Sequence, residues 1–565
     1  MMLRTRHVAR AVIGLLIAQL TSAQIVVVLS ASRQSRKTYA AQAKTTLFVD
    51  APLSRTRQGR TQGAPPLLSF ADLTRLYEDE SPPDELQRRL TQLLNTPFVA
   101  NAASARGIKP LKPNSQSMGR FIRVATWNIE RGLEFDAVRA AFTHDQKFFR
   151  RIDQSGLSSK GSQLANVLSQ SQDLRQADIV VLNEVDWGLK RTGYRNVAKE
   201  LADAMGMNYA YGVEFVEVDP LTLGTETLEG ETASDKSELV KNLAVDKSRT
   251  LGLHGTAILS RFPLRDVRIF RFANQGHDWY ADEKKGVSKL EKGKEKAAGA
   301  VFEEKITREV RRGGRMMLLA DIEDAQIPGG KLTVVATHLE AKTKPANRLK
   351  QLEEVLTQIK GIEHPVVFAG DMNTSGSDTT PTSFQREVKK RMGSTSFWVT
   401  KGIKYATGVG LLYDLTLGVF TKGRTLIDPT VKSIRFVSEN PEEKFFTTLK
   451  DYRFADGNAV DFRGASEFSV GGRAATLSDS NERAAKGFAS TLELVGKITV
   501  PFKLDWIFVK PASLTDPEDL RQSYLFAPHF GRTLKALNYS LKDRISDHNP
   551  LIADLPLTEK STPKF

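Results

Sequence analysis

The chain has 565 residues, 40% of them hydrophobic and 8% aromatic, so it can bury a large core and is long enough for more than one domain. It contains no cysteine, which excludes disulfides, thiolate metal sites and cysteine nucleophiles; any metal must be bound by oxygen or imidazole. A net charge of +15 favours a polyanionic partner, but residues 1–120 hold 17 Lys and Arg against 7 Asp and Glu, and the remainder hold 64 against 59.

The N-terminal segment, residues 1–31, is typical of a secretory signal peptide. Three arginines precede an apolar stretch that ends at Leu20, and "TSA" at 21–23 supplies the small residues of a cleavage site. Apolar character continues to Ala31, so an uncleaved membrane anchor is the alternative. We therefore expect a secreted or periplasmic protein, or one that is anchored to a membrane by this segment.

Residues 32–120 are predicted to form a linker and short helices. The part from 32 to 66 is rich in Ser, Thr, Arg and Gln and has few large apolar residues, as in a solvated linker. Leucines at helical spacing follow in 68–96, and Ser81-Pro82-Pro83 interrupts them. This pattern predicts two short helices that pack on the domain that follows.

Residues 121–557 are predicted to form one α/β domain. Short runs such as "FIRVATWNI", "ADIVVLNEV", "KLTVVATHLE" and "PVVFAGDMN" are nearly continuous in apolar residues, as in sheets that are covered on both faces. Residues 344–360 show helical spacing, and the combination favours two packed sheets flanked by helices. Stretches near 217–250, 281–312 and 376–500 are interpreted as insertions, and 558–565 as a tail.

Most of these runs carry polar residues at one end, and neighbouring antiparallel strands would bring those ends to one edge. Each polar residue alone is ordinary at a strand end, but together they would repel and resist burial unless a cation or ligand offsets the cost. Carboxylates are ligands for Mg²⁺ or Mn²⁺, and an Asp beside an Asn, as in "GDMN", can activate a water. The residues are Asn128, Glu130, Asn183, Glu184, His338, Asp371, Asn373, Asp505, Asp547, His548 and Asn549.

Seven segments resemble, in order, the motifs of the endonuclease/exonuclease/phosphatase superfamily. They are "TWNIERG", "VLNEVDWG", "GTAILSRFPL", "ATHLEA", "FAGDMNTS", "KLDWIFV" and "SDHNPLIADL". The resemblance spans 121–555 and implies a four-layer αββα sandwich, made of two packed mixed, largely antiparallel sheets flanked by helices.

The resemblance also implies a divalent cation, Mg²⁺ or Mn²⁺. Glu184 would be its principal ligand, Glu130 would lie at the same corner, and Asp547 would lie beside it. Where the family often has Gln before the metal-binding Glu, this chain has Asn183, a shorter amide.

The remaining roles implied by the resemblance concern catalysis and phosphate binding. Asp371 would activate the water, and Asp505 would orient His548. Asn128, Asn373 and His338 would bind the substrate phosphate. The implied catalytic residues are His338, Asp371, Asn373, Asp505 and His548.

We expect an exported, metal-dependent phosphodiesterase, with a nuclease-like activity favoured. A secreted phosphatase or sphingomyelinase-type phospholipase is the alternative, and an inactive binding module on the same fold is a minor one. Nucleic acid and a lipid headgroup both remain candidate partners, and no protein partner is inferred. "PFKLDWIF" lacks the signature of inositol-polyphosphate phosphatases, which argues against that class.

The loop "NQGHDWYADE" permits two interpretations. Trp279 and Tyr280 could stack on a base or rest at a lipid interface, or the loop could simply bury its Trp. These residues are not included in the predicted site.

Overall fold

The structure is a computed structural model that describes much of the chain between residues 64 and 558. The described residues belong to one compact unit, Gln62–Phe565. The predicted signal peptide or anchor, the linker up to residue 63 and most of the insertion near 376–500 lie outside them. No helix among the described residues has the length and apolar character needed to cross a membrane. The described ranges are 64–116, 118–143, 146–153, 156, 164–225, 244–285, 309–374, 433–434, 438–439, 442–463, 492–493, 501–502, 504–519, 521–542 and 544–558.

The elements are numbered in chain order. The strands are β1 (Phe98–Ala100), β2 (Asn114–Ser115), β3 (Gly119–Arg131), β4 (Ile179–Trp187), β5 (Asn208–Glu217), β6 (Leu253–Ser260), β7 (Arg265–Arg271), β8 (Arg311–Gly313), β9 (Met316–Glu323), β10 (Lys331–His338), β11 (Val366–Asp371), β12 (Ser433–Ile434), β13 (Ser438–Glu439), β14 (Leu492–Glu493), β15 (Pro501–Phe502), β16 (Asp505–Lys510), β17 (His529–Thr533) and β18 (Leu551–Pro556). The helices are α1 (Phe70–Glu78), α2 (Asp84–Asn95), α3 (Ala102–Ala105), α4 (Phe135–Thr143), α5 (Gln146–Arg151), α6 (Leu164–Arg175), α7 (Val197–Met205), α8 (Pro345–Ile359), α9 (Glu443–Asp451) and α10 (Lys535–Asn538).

Two large sheets face each other. The first has the strand order β1-β5-β6-β4-β3-β18-β17, with β2 beside β3 and β8 beside β5, and the second has the order β16-β11-β10-β9-β7. Within them β3 pairs with β4, and β10 with β11, in parallel, whereas the other pairs are antiparallel. The prediction of mixed, largely antiparallel sheets is therefore confirmed.

Three apolar layers separate four layers of secondary structure. The middle layer lies between the sheets and includes Val181 and Ile258 of the first sheet and Val334 and Val367 of the second. Helices α4, α6 and α7 cover the outer face of the first sheet, and α8 and α9 cover that of the second. Strands buried on both faces must be apolar along their whole length, which explains their continuous Val and Ile runs. The predicted αββα sandwich is confirmed.

The segment before residue 121 is built into the first sheet's side of the sandwich. Helix α1 begins with a reciprocal capping box between Ser69 and Asp72, which satisfies two backbone donors. Leucines of α1 and α2 are buried in the core beneath that sheet, and β1 extends the sheet by pairing with β5. Arg312 of β8 donates to the carbonyls of Leu76 (3.0 Å) and Asp79 (2.6 Å), which ties β8 to the end of α1.

Candidate active site

The polar strand ends meet at one edge of the two sheets, for a reason that differs in part from the sequence argument. In the parallel pairs β3–β4 and β10–β11, both strands end at this edge, so Asn128 faces Asn183 and His338 faces Asp371. Strand β16 runs antiparallel to β11 and therefore begins here, with Asp505 opposite Asp371. The sequence argument used antiparallel pairing to gather the residues, whereas parallel pairing brings together those at the ends of β3, β4, β10 and β11.

Two β-bulges aim the acidic residues. The pairing of β3 with β4 shifts between Asn128 and Arg131, and that of β4 with β6 shifts between Leu182 and Val185. Glu130 and Glu184 lie in these shifts with left-handed backbones, at φ of 48° and 52°. Such conformations are costly for residues other than glycine and occur mainly where a site requires them.

Asp371 lies at the centre of the site. Its Oδ2 atom accepts a hydrogen bond from Asn128 Nδ2 (3.1 Å) and lies 3.5 Å from His338 Nε2 and 3.7 Å from His548 Nε2. Its Oδ1 atom accepts from the backbone N–H of Asn373 (2.9 Å). Burial and the carboxylate of Asp505 raise the pKa of Asp371 to about 7, against the opposing effect of His548. A carboxylate with such a pKa can act as a general base near neutrality.

His548 is held as a cation by two carboxylates. Its Nδ1 atom lies 2.7 Å from Asp505 Oδ2. Burial lowers the pKa of His548, but Asp505 and Asp371 outweigh burial, and the pKa rises well above its usual value. Two side chains fix the backbone of His548. Trp127 Nε1 donates to its carbonyl (2.8 Å), and Ser546 Oγ accepts from its N–H (3.2 Å).

His338 has the opposite character. Its Nδ1 atom lies 2.8 Å from Arg315 Nη1, a group that can only donate, so Nδ1 accepts and the ring proton resides on Nε2. Burial and the charge of Arg315 lower the pKa of His338 well below its usual value. Arg315 is held in turn by Glu214 (2.6 Å) and Glu340 (3.2 Å). His338 is therefore a neutral donor through Nε2.

Arg315, Glu214 and Glu340 were not predicted from the sequence. A signal was present for two of them, since Arg315 directly precedes β9 at the same sheet edge, and Glu214 is an acid inside the apolar run of β5. The other site residues were identified as polar residues next to apolar strands. Arg315 and Glu214 are likewise charged residues beside or within an apolar strand.

Asn183 joins the two sheets and does not face the cleft. Its amide donates to Thr256 Oγ1 and to the carbonyl of Thr337, both at 3.0 Å, and accepts from the backbone N–H of Asp371 at 2.9 Å. The side chain is fully buried. Gly370 is required beside it, because a Cβ there would lie 1.9 Å from the Thr337 carbonyl oxygen, and its φ is +138°.

The three predicted metal ligands differ in their surroundings. Glu184 is 25% exposed, and its described contacts are long: 3.4 Å to Asn128 Nδ2 and 3.7 Å to Arg131 Nε. Glu130 accepts a hydrogen bond from the backbone N–H of Asp547 (3.1 Å). Arg544 lies near both carboxylates, because the charges of Asp547 and Glu130 raise the pKa of Arg544 against the effect of burial. Of these three carboxylates, Glu184 is thus the one whose charge is least compensated by protein groups. Its oxygens, at the mouth of an otherwise buried site, fit a divalent cation.

A second group of donors lies deeper in the site. Asp371, Asp505 and His548 each offer one donor atom, and these three atoms lie within 4.8 Å of one another. An imidazolium has no lone pair for a metal, and the raised pKa of His548 favours that form. We therefore interpret this group as one that holds and moves protons.

The structure brings together the nine residues that were assigned a catalytic, substrate-binding or metal-binding role. Asn373 Nδ2 donates to the carbonyl of Leu339 (2.8 Å), which orders the loop after β11.

The loop at 272–283 lies close by, but its aromatic rings are buried. Trp279 is 6% exposed and donates to Glu340 (2.8 Å). Tyr280 is 8% exposed and donates to the carbonyl of Tyr77 (2.9 Å). Neither ring is presented for stacking on a ligand.

Carboxylates, amides and two imidazoles at one edge of an αββα sandwich are the arrangement that the sequence motifs implied for a phosphoester hydrolase. The chain belongs to the Endonuclease/Exonuclease/phosphatase family, whose sequence model matches residues 125–548. Members of this family are hydrolases that act on phosphoester bonds. The expectation from the sequence motifs is therefore confirmed at the level of the family.

Several proteins of known structure are similar to the chain. An endonuclease/exonuclease/phosphatase from Beutenbergia cavernae is 16% identical, with 77% of this chain and 72% of that chain covered and a TM-score of 0.29. A 3'-5' exonuclease (NExo) from Neisseria meningitidis is 12% identical, with coverages of 77% and 99% and a TM-score of 0.32. The human Nocturnin catalytic domain is 12% identical, with coverages of 77% and 92% and a TM-score of 0.31. No curated protein matches the sequence.

Proposed function

We propose that this protein is a divalent-metal-dependent phosphodiesterase in which Asp371 activates a water for in-line attack on phosphorus. The observation that carries the proposal is the position of the Asp371 carboxylate, 3.5 Å from a neutral imidazole and 3.7 Å from a cationic one. A base and two donors of different charge within one site match the demands of phosphoryl transfer, where a proton leaves the water as negative charge grows on the phosphate.

The proton of the attacking water passes to Asp371 Oδ2. Asn128 Nδ2 already donates to this oxygen, which orients the second lone pair toward the cleft. The backbone N–H of Asn373 holds Oδ1, so the carboxylate cannot rotate freely. The carboxylate thus has a fixed orientation before the substrate arrives.

Two imidazoles bind the phosphate from the protein side. His548, kept cationic by Asp505, offsets negative charge on the phosphoryl oxygens. His338 donates from Nε2 without adding a charge, because Arg315 occupies its other nitrogen. A positive and a neutral donor together stabilise the transition state without neutralising Asp371.

The metal site would be formed by Glu184, with Glu130 and Asp547 nearby. A divalent cation bound there would supply charge stabilisation for the phosphate and the leaving oxygen. Asn128 Nδ2 lies between Glu184 Oε1 (3.4 Å) and Asp371 Oδ2 (3.1 Å), so one amide sets the spacing of the ligand and the base.

The test uses the purified chain with Mg²⁺ and four substrates in parallel: plasmid DNA, RNA, sphingomyelin vesicles and a bis-aryl phosphate. We expect hydrolysis of the bis-aryl phosphate and of nucleic acid, loss of both in EDTA, and recovery when Mg²⁺ is added back. Glu184→Gln and His548→Ala should each abolish turnover and retain the far-UV circular dichroism spectrum.

The outcomes separate the alternatives. Cleavage of sphingomyelin alone would select the lipid enzyme over the nuclease. Folded protein that cleaves none of the four substrates in Mg²⁺ or Mn²⁺ would leave only the binding module and would refute the proposal.

Export is a second part of the proposal and is supported by the sequence of residues 1–31 alone. Mass spectrometry of the protein recovered from the native host would test it. A mature N-terminus after residue 23 supports cleavage, an intact N-terminus in the membrane fraction supports anchoring, and an intact N-terminus in the cytosol contradicts both.

A further inference from the structure

A chain of alternating charges runs from the cleft into the first sheet. Its members are joined in order by ion pairs, and each side chain after Glu184 is at most 6% exposed. In order they are Glu184, Arg131, Glu309, Arg311, Glu217, Arg191, Asp186 and His254.

The longest contact in this chain is the one at the cleft, between Arg131 and Glu184. Arg191 makes a bidentate pair with Glu217 at 2.6 Å and 2.9 Å and another with Asp186. Arg131 Nη2 lies 2.7 Å from Glu309 Oε1, and Glu309 also contacts Arg311. By contrast, Arg131 Nε stays 3.7 Å from Glu184 Oε2, beyond hydrogen-bond distance.

The charges of the chain do not balance at its cleft end. Four carboxylates alternate with three guanidinium groups, and His254 lies at the far end beside Asp186. Pairs of 2.6–2.7 Å join Arg131 to Glu309 and Arg191 to both Glu217 and Asp186. Buried ion pairs are favourable only when they are closely matched, so the unmatched negative charge falls on Glu184. A divalent cation would supply the missing positive charge.

We propose that Arg131 is a positioning residue for the metal ligand, and that Glu309 holds its guanidinium away from Glu184. This inference rests on the proposed function, since it concerns the cation that Glu184 would bind. Without the pull of Glu309, Arg131 would close on Glu184 and occupy the oxygens that the cation requires. Glu309 and Arg311 therefore set metal affinity although neither reaches the cleft.

Strand β8 is built to hold this arrangement. Arg311 points inward, beneath the rings of Trp279 (4.8 Å) and Phe215 (5.5 Å). The next residue, Arg312, points outward to the last turn of α1, where it binds two carbonyls. This strand is fixed on both faces and so holds Arg311, which contacts Glu309 two residues before it.

The experiment measures Mn²⁺ binding to the full chain by isothermal titration calorimetry, without substrate. Glu309→Gln keeps the shape of the side chain and removes its charge, and we expect the Kd for Mn²⁺ to rise about 10- to 100-fold, as for other groups that orient metal ligands. Glu309→Asp, which keeps the charge, should recover most of the affinity. Glu200→Gln, which breaks an exposed pair with Arg195, is the matched control and should bind Mn²⁺ like the native chain.

A second pair of measurements keeps the inference testable if Glu309→Gln does not fold. Arg131→Lys retains the charge but loses the planar fork through which Glu309 holds it back from Glu184, and it should also weaken Mn²⁺ binding by about tenfold. In each folded variant, kcat at saturating Mn²⁺ should stay near the native value, while the Mn²⁺ concentration for half-maximal rate rises.

The results distinguish this inference from the proposed function. Native Kd values for Mn²⁺ in folded Glu309→Gln and Arg131→Lys, with native protein that hydrolyses phosphodiesters, would overturn the inference alone. A native chain that neither binds Mn²⁺ nor hydrolyses any phosphodiester would overturn both. A lower melting temperature with unchanged Mn²⁺ affinity would assign a purely structural role and would also refute it.

Discussion

The guanidinium of Arg315 lies 2.8 Å from Nδ1 of His338 and thereby decides which nitrogen of the ring carries the proton. An arginine cannot accept a hydrogen bond, so the ring presents N–H at Nε2, on the side of Asp371. The same guanidinium is anchored by Glu214 and Glu340, two fully buried carboxylates. One residue outside the cleft thus fixes both the protonation and the orientation of the imidazole that is proposed to bind the phosphate.

We predict that Arg315→Lys lowers turnover about 10- to 100-fold, because one ammonium cannot bind His338, Glu214 and Glu340 together. ¹⁵N NMR of the imidazoles should show a single Nε2–H tautomer for His338 in the native protein and a mixture in the variant. Arg195→Lys, which alters an exposed pair with Glu200, is the control. An unchanged tautomer with native turnover in Arg315→Lys would contradict the prediction.

The pH dependence should report Asp371. Since the carboxylate must lose its proton to act as a base, and burial together with Asp505 raises its pKa to about 7, kcat/KM should rise with pH and level off above about pH 7. The measurement is kcat/KM for a bis-aryl phosphate between pH 5 and 9. Asp371→Asn should lower the rate by about 10²- to 10⁴-fold, a typical contribution of a general base. A rate that is flat down to pH 5 would exclude Asp371 as that base.

Asp505 is predicted to act through His548. Removing the carboxylate in Asp505→Asn takes away the main influence that raises the pKa of His548, so this pKa should fall, and activity should fall roughly 10- to 100-fold. The raised pKa of His548 also stabilises the folded state. This stabilisation is fully present below the unfolded-state pKa of 6.5 and is lost as pH rises through the pKa of His548 in the folded state. NMR titration of the ring protons measures the shift, with Asp203→Asn, an exposed partner of Lys199, as control. An unshifted His548 would disprove the coupling.

Asn183 should matter for stability more than for chemistry. Asn183→Ala leaves the Asp371 N–H and the Thr337 carbonyl without their partner, and we expect a loss of about 2–4 kcal/mol in the free energy of unfolding. Urea denaturation measures it, and Asn166→Ala on the exposed face of α6 should change it little. A loss below about 0.5 kcal/mol, typical of surface substitutions, would refute the bridging role.

Much of the site could be predicted from the sequence, because an apolar strand that ends in Asn, Glu, His or Asp is conspicuous. The edge at which those ends meet follows from strand direction, and direction is not encoded locally. The sequence argument therefore found His338 and Asp371 but did not specify that β10 and β11 pair in parallel. The seven ordered motifs identified the sandwich, because each marks a strand end.

The supporting charges could not be predicted in the same way. Arg131 and Arg311 look like ordinary surface arginines in sequence, and only the folded chain shows them buried between carboxylates. Glu309 follows a lysine-rich stretch that was interpreted as an insertion, so nothing nearby marked it as part of the site. Asn183 was noted as a departure from the family, but its cross-sheet role depends on the distance between the sheets.

Because Asp505 belongs to one sheet and His548 leads into a strand of the other, their hydrogen bond exists only once the two sheets have docked. The same holds for Asn128 with Asp371. During refolding, each sheet could acquire its strands and register without assembling any working part of the site. We expect regained turnover to lag behind regained circular dichroism, so that catalysis marks the final docking event of folding.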